Sequence, residues 1–237
     1  MTKLGNHSSI LVGLLVAFAI STAQAQITQR SEVGFGLGTF NYTGDLVRSY
    51  NFKFSQPAAT LFYRANISKV ISFRTALTAG KLSASDLSEP IDAFAVQRAA
   101  SFDIFLVELS GVYEYHFLDW RDSKRRLRFT PYLFAGLALF NILGTPPKND
   151  NAQYSTIQMS IPFGGGIKYV LNPKWYMAVE IGVRKTFFDY LDNVSDGDPS
   201  YKNYQYGNKF DYDTYYFVGI SLTRTFYDIP CATNPYK

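Results

Sequence analysis

Cysteine is almost missing from this chain of 237 residues: Cys231 stands alone near the C-terminus, so no intrachain disulfide can hold the fold. Histidine is nearly as scarce, with His7 and His116 the only two. Charge of one sign is lacking as well. The net charge is +4, and the only dense basic run is Lys124-Arg125-Arg126, too little for a nucleic-acid partner. Beyond residue 25 no segment approaches the roughly 18 consecutive apolar residues of a spanning helix. Tryptophan is rare too, but its aromatic relatives are abundant, with 20 Phe and 18 Tyr placed mostly inside periodic segments.

The start of the chain reads as an export signal. Ile10 to Ile20 form a short apolar stretch after Lys3 and His7, and Ser21-Thr22-Ala23-Gln24-Ala25 supplies the small-x-small pattern of a signal-peptidase site. The apolar run is about half the length of a spanning helix. The expected organisation is a cleaved signal peptide over 1–25, a β-barrel over 26–227 and a periplasmic tail over 228–237.

In the rest of the chain the dominant period is two, which belongs to strands. Trp175, Met177, Val179, Ile181 and Val183 share one face, while Tyr176, Ala178, Glu180, Gly182 and Arg184 share the other. On a helix those apolar positions would wind around the whole cylinder. Similar runs predict eight strands near 31–43, 56–67, 70–81, 101–117, 128–142, 154–171, 175–187 and 212–227. Each is at least as long as the roughly 9–11 tilted residues that cross a bilayer, whereas soluble strands run nearer 5–6. Apart from the mid-length Asp119 to Leu127, connections alternate between short (Ser68-Lys69, Asn172-Pro173-Lys174) and long (44–55, 82–100, 143–153, 188–211). Together these features predict an all-β fold: an eight-stranded antiparallel transmembrane barrel with short periplasmic turns and long extracellular loops. Outer-membrane lipid is then its surrounding. The rival is a soluble lipocalin-like barrel with the faces reversed, because alternation alone does not say which face points inward; strand length and aromatic clusters near strand ends favour the membrane version.

The polar face carries charges of both signs: Arg64, Arg74, Lys168 and Arg184 against Glu108, Glu114 and Glu180. The interior of an eight-stranded barrel is only wide enough to be filled by side chains, and buried charges there must pair. These seven residues are therefore expected to form an interior ion-pair network, with Gly34, Gly36 and Gly38 making room for longer neighbours. That describes a plugged barrel and not a channel.

No residue set points to catalysis, a cofactor or a metal. His116 shares a face with Glu114, but no G-x-S-x-G or similar motif supplies a nucleophile, and a hydrogen-bonded interior histidine is the plainer reading. Asp189, Asp192, Asp196 and Asp198 lack EF-hand spacing and read as a solvated acidic loop. Gly164-Gly165-Gly166 lies within a strand with no following helix, so the phosphate-loop reading fails.

Several fragments, in order, resemble one family, the PorG-like outer-membrane barrels of the Bacteroidota. They are Glu32-Val33-Gly34 with Asn41-Tyr42-Thr43-Gly44-Asp45, then Tyr63-Arg64-Ala65-Asn66, then Phe129-Thr130-Pro131-Tyr132-Leu133-Phe134-Ala135-Gly136. Pro162-Phe163-Gly164-Gly165-Gly166-Ile167-Lys168 follows. Most distinctive is Glu180-Ile181-Gly182-Val183-Arg184, continued by Phe188-Asp189-Tyr190-Leu191-Asp192-Asn193-Val194-Ser195. The resemblance implies a non-enzymatic component of the type IX secretion system that tethers the periplasmic ring of the PorK lipoprotein and PorN to the outer membrane. On that reading Lys124, Arg125 and Arg126 and the tail Asp228 to Lys237 offer the periplasmic contact surface, and Asp189, Tyr190, Asp192 and Ser195 shape the last loop. Gly219 to Tyr227 also resembles the C-terminal signal read by the barrel assembly machinery, although the chain runs ten residues further. A barrel acting through its extracellular loops in adhesion or membrane stabilisation, and an outer-membrane lipid-modifying enzyme, are the competing functions.

Overall fold

The computed structural model describes residues 30–44, 47, 50–85, 101–120, 128–143, 157–187 and 213–227. The proposed signal peptide, the tail 228–237, Lys124–Arg126 and Asp189–Ser195 lie outside these residues.

Eight strands follow one another in chain order: β1 (Arg30–Thr43), β2 (Gln56–Asn66), β3 (Ile71–Ser85), β4 (Ser101–His116), β5 (Phe129–Leu143), β6 (Ile157–Asn172), β7 (Trp175–Thr186) and β8 (Thr214–Tyr227). Each pairs antiparallel with the next, and β8 returns to β1 over the full length from Arg30↔Tyr227 to Thr43↔Thr214, so the sheet closes. Closure satisfies the backbone groups that an open edge would leave exposed. A short 3-10 turn, Phe52–Phe54, precedes β2. β3 continues four residues past its expected end at 81. Lys81 to Ser85 keep the ladder by pairing with Phe105 to Ser101, although Lys81, Ser83 and Ser85 carry little apolar signal.

The connections 67–70 and 173–174, which are short, and 117–128, which is as long as 44–55, leave from the end of the barrel that holds the start of β1 and the finish of β8, the terminal end. The strand ends that lead into the connections 44–55, 86–100, 144–156 and 187–213 lie at the opposite, loop end. In the turn between β2 and β3, Ser68 Oγ accepts from the Ile71 amide (2.9 Å). Between β6 and β7, Asn172 Oδ1 accepts from the amides of Lys174 and Trp175 (both 3.0 Å). Each polar side chain thus supplies the acceptor that such a tight reversal needs.

The face assignment overturns the lipocalin-like alternative. The odd-numbered residues of β1 to β7 form the outer face, which is largely apolar: Phe35, Leu37, Leu61, Leu77, Leu109, Leu133, Leu137, Leu139, Met159, Ile167, Val179 and Ile181 are all exposed, with polar interruptions such as Thr75, Lys81 and Asp103. On β4 the outward row runs from Phe105 to Tyr115. Ten residue steps at about 3.4 Å, tilted by roughly 40°, make this row about 26 Å tall. That matches the roughly 25 Å apolar band of a membrane barrel. At the terminal end it finishes in exposed aromatics: Tyr63, Tyr115, Phe117, Phe129, Tyr169, Trp175 and Phe226.

Candidate functional site

The inward face divides into two contrasting halves. Toward the loop end it is an apolar core of Phe40, Tyr42, Leu82, Ala84, Phe102, Ile104, Leu106, Phe140, Tyr215 and Phe217. Its rings meet edge to face, as in Phe40–Tyr215 (5.6 Å between centroids) and Tyr42–Phe102 (5.0 Å), the arrangement that their quadrupoles favour. Toward the terminal end the interior is a charge cluster drawn from β1, β2, β3, β4, β6 and β7, with the Tyr132 hydroxyl of β5 bonded into it.

Glu114 on β4 is its centre. Arg64 and Arg74 stand directly opposite one another on β2 and β3, an unfavourable pairing of like charges. Glu114 holds both, with Oε2 2.8 Å from Arg64 Nε and Oε1 3.0 Å from Arg74 Nε. Lys168 Nζ donates to the same carboxylate at 2.6 Å. Arg64 also donates to Glu32 (2.7 Å), whose other oxygen accepts from Asn66 Nδ2 (2.7 Å); Ser72 Oγ in turn donates to Asn66 Oδ1 (2.7 Å). Arg74 forms a two-pronged contact with Glu180 (2.6 and 3.1 Å), and Tyr132 donates its hydroxyl to that carboxylate at 2.7 Å. Higher in the barrel, Arg184 Nε lies 3.4 Å from Glu108 Oε2, which also accepts from Tyr215 (2.6 Å).

The sequence-derived residues Arg64, Arg74, Glu108, Glu114, Lys168, Glu180 and Arg184 are thus all buried and all in contact with an opposite charge. Sequence reasoning missed Glu32, which makes the cluster four cations against four carboxylates, and the hydroxyls of Tyr132 and Tyr215 that complete the hydrogen bonding. The available signal was position: Glu32 shares its face of β1 with Gly34 and Gly36.

Aromatic rings pack against the cations. Arg74 lies 5.5 Å from the Phe62 ring and 5.1 Å from that of Phe134, and Lys168 lies 4.6 Å from the Tyr132 ring. The glycines make this packing possible. The Phe62 ring occupies the place a Cβ on Gly34 would take, and the Phe134 ring would meet a Cβ on either Gly164 or Gly182 at 2.9 Å. Gly36 and Gly38 also face close neighbours, Thr60 for the first and the β8 backbone for the second.

His116 is fully buried, with Nε2 2.6 Å from Lys168 Nζ and Nδ1 3.3 Å from the Val70 carbonyl. An ammonium has only protons to offer, so Nε2 accepts and the ring proton is assigned to Nδ1. Trp120, from the turn between β4 and β5, is 3% exposed and closes the terminal end. Its ring meets Tyr176 edge-on at 4.5 Å and lies 6.0 Å from His116. Between the two halves, a void of about 10 Å³ lined by Arg74, Glu180 and Arg184 has room for about one water. Among the described residues, no three His, Cys, Asp or Glu side chains group to hold a metal.

The barrel is therefore packed across its width, and its fold has known counterparts. Neisserial surface protein A matches with a TM-score of 0.53 at 12% identity, over 83% of this chain and 97% of that one. Ail, the attachment invasion locus protein of Yersinia pestis, matches at 0.46 and 10% identity, covering 84% and 100%. The N-terminal barrel domain of Pseudomonas aeruginosa OprF matches at 0.42 and 15% identity, covering 84% and 99%. At 12% identity the likeness to Neisserial surface protein A speaks for the fold alone. Residues 8–234 match a family described as a domain of unknown function, DUF6089. The chain belongs to the DUF6089 family. No curated protein matches its sequence. This DUF6089 chain is accordingly a closed, eight-stranded antiparallel barrel with an apolar outer wall and a filled interior.

Proposed function

We propose that this DUF6089 protein is a structural, non-enzymatic barrel of the bacterial outer membrane, exported by a cleaved signal peptide. On this reading it anchors type IX secretion machinery through its terminal end, which faces the periplasm. The observation that carries the membrane part is the pairing of an outer apolar band of bilayer height with an interior filled by mutually neutralising charges. In water such a band would drive association; in lipid it needs no partner. A filled interior leaves no route for solutes, and His116 is occupied by Lys168 and the Val70 carbonyl instead of facing a nucleophile. The anchoring part rests on the resemblance to the PorG-like barrels and is supported by Trp120, which pins the root of the turn carrying Lys124, Arg125 and Arg126.

Pull-down of the tagged protein from outer membranes in gentle detergent, with mass spectrometry of the co-purifying proteins, tests the anchor. Periplasmic ring components are expected. They should be lost on triple substitution of Lys124, Arg125 and Arg126 or on deletion of 228–237, with the barrel still assembled. A ring that survives both changes rules out this surface. Recovery of the barrel alone, under conditions that preserve other complexes, moves the function to the loop end.

A further inference from the structure

On the outer wall at the terminal end, one cation interrupts the apolar band. Arg224 on β8 is exposed, and its guanidinium carbon lies 5.9 Å from the Trp175 ring and 5.3 Å from the Phe226 ring. Trp175 is its register partner on β7, and Phe226 is the next outward residue on β8. Toward the loop end, the neighbouring outward residues Leu222, Ile220, Met177 and Val179 are all apolar. Arg224 therefore marks the level at which the hydrocarbon band ends. Among the described residues it makes no ion pair, and two rings hold its side chain at the wall.

We propose that Arg224, Trp175 and Phe226 form a site for the phosphate of an anionic phospholipid in the leaflet at the terminal end. The guanidinium offers a planar, two-pronged donor that suits phosphate oxygens. Tryptophan and phenylalanine at headgroup depth present apolar bodies to the first acyl carbons, and the stacked rings fix the arginine so that little side-chain freedom is lost on binding. The setting favours negative charge: among the described residues outside the barrel interior, Lys69, Arg128 and Lys174 lie at the same end, against Asp119. The site rests on the membrane reading given above.

The experiment uses the full barrel in phosphatidylcholine vesicles doped with lipid brominated high on the acyl chain. The dopant carries either a phosphatidylglycerol or a phosphatidylcholine headgroup. Bromine quenches Trp175 on contact, and Trp175→Phe supplies the signal of the buried Trp120 for subtraction. The brominated anionic lipid is expected to associate about fivefold more strongly than the zwitterionic one, the effect of one basic residue at a membrane surface. Arg224→Gln should bring that ratio close to one, Arg224→Lys should retain part of it, and millimolar inorganic phosphate should leave it unchanged. Equal quenching by both lipids, or an undiminished preference in Arg224→Gln, overturns the site. Loss of the preference on adding inorganic phosphate overturns its assignment to a lipid. Absence of quenching by either lipid overturns the membrane reading itself.

Discussion

The two halves of the barrel interior solve the same problem by different physics. The loop-end half fills its cross-section with Phe40, Phe140, Tyr215 and Phe217, rings held by shape and area. The terminal-end half fills an equal cross-section with Arg64, Arg74, Lys168, Glu32, Glu114 and Glu180, held by charge balance and hydrogen bonds. Shape tolerates substitution in kind, because another apolar side chain of similar volume still excludes water. Charge balance does not, because removing one partner leaves the rest buried and uncompensated.

The charge cluster also fixes register. A slip by one residue would turn Arg64 and Glu114 outward into the apolar band, where a cation costs about 2–4 kcal/mol at mid-depth. An apolar half offers weaker discrimination, because several loop-end strands are apolar on both faces. Phe102, Ile104 and Leu106 point inward on β4 while Phe105 and Val107 point outward.

Breaking the charged half should have the largest effect. Glu114→Gln keeps the shape but leaves Arg64, Arg74 and Lys168 one carboxylate short; a loss of about 3–5 kcal/mol is expected in denaturant unfolding of the refolded barrel. Next comes the outer wall. Leu137→Arg, near the middle of the band, should cost about 2–4 kcal/mol in lipid vesicles, whereas Phe129→Arg at its edge should cost about 0–1 kcal/mol. Equal costs at the two depths would contradict the band. Within the interior the milder change is Phe140→Leu in the aromatic half, expected to cost under about 1.5 kcal/mol by the same unfolding assay. If Phe140→Leu proved as damaging as Glu114→Gln, the contrast between the halves would be lost.

Much of this was legible in the sequence because β-strand parity is strict. Once Trp175 to Arg184 fixed one strand's faces, the other segments could be read the same way, and seven charges fell on the inner one. Partner choice was not legible, because it depends on register. That Glu114 bridges Arg64 and Arg74 follows from β2, β3 and β4 lying side by side, with Arg64 opposite Arg74 and Ser72 opposite Glu114. Glu32 stood out less than the others, in Arg-Ser-Glu-Val, where charge and hydroxyl blur the alternation. The aromatic half was hidden for the opposite reason: Phe102 to Val107 is nearly all apolar, so it shows no period from which a face could be assigned. Trp120 sits in a charged turn, and nothing in the local sequence says that it folds back into the barrel mouth.

The central claim is that the apolar face meets lipid while the charged face is sealed inside. It is tested most directly by nitroxide labels, placed one at a time at Leu137 and at the adjacent Ala138 in a Cys231→Ser background, with the barrel in liposomes. Power-saturation electron paramagnetic resonance then compares collision with oxygen and with a water-soluble nickel complex. The expected result is a label at 137 that collides freely with oxygen and hardly with nickel, beside an immobilised label at 138 that is shielded from both. A label at 137 that collides readily with the nickel complex would contradict the account, because it would place the apolar wall in water.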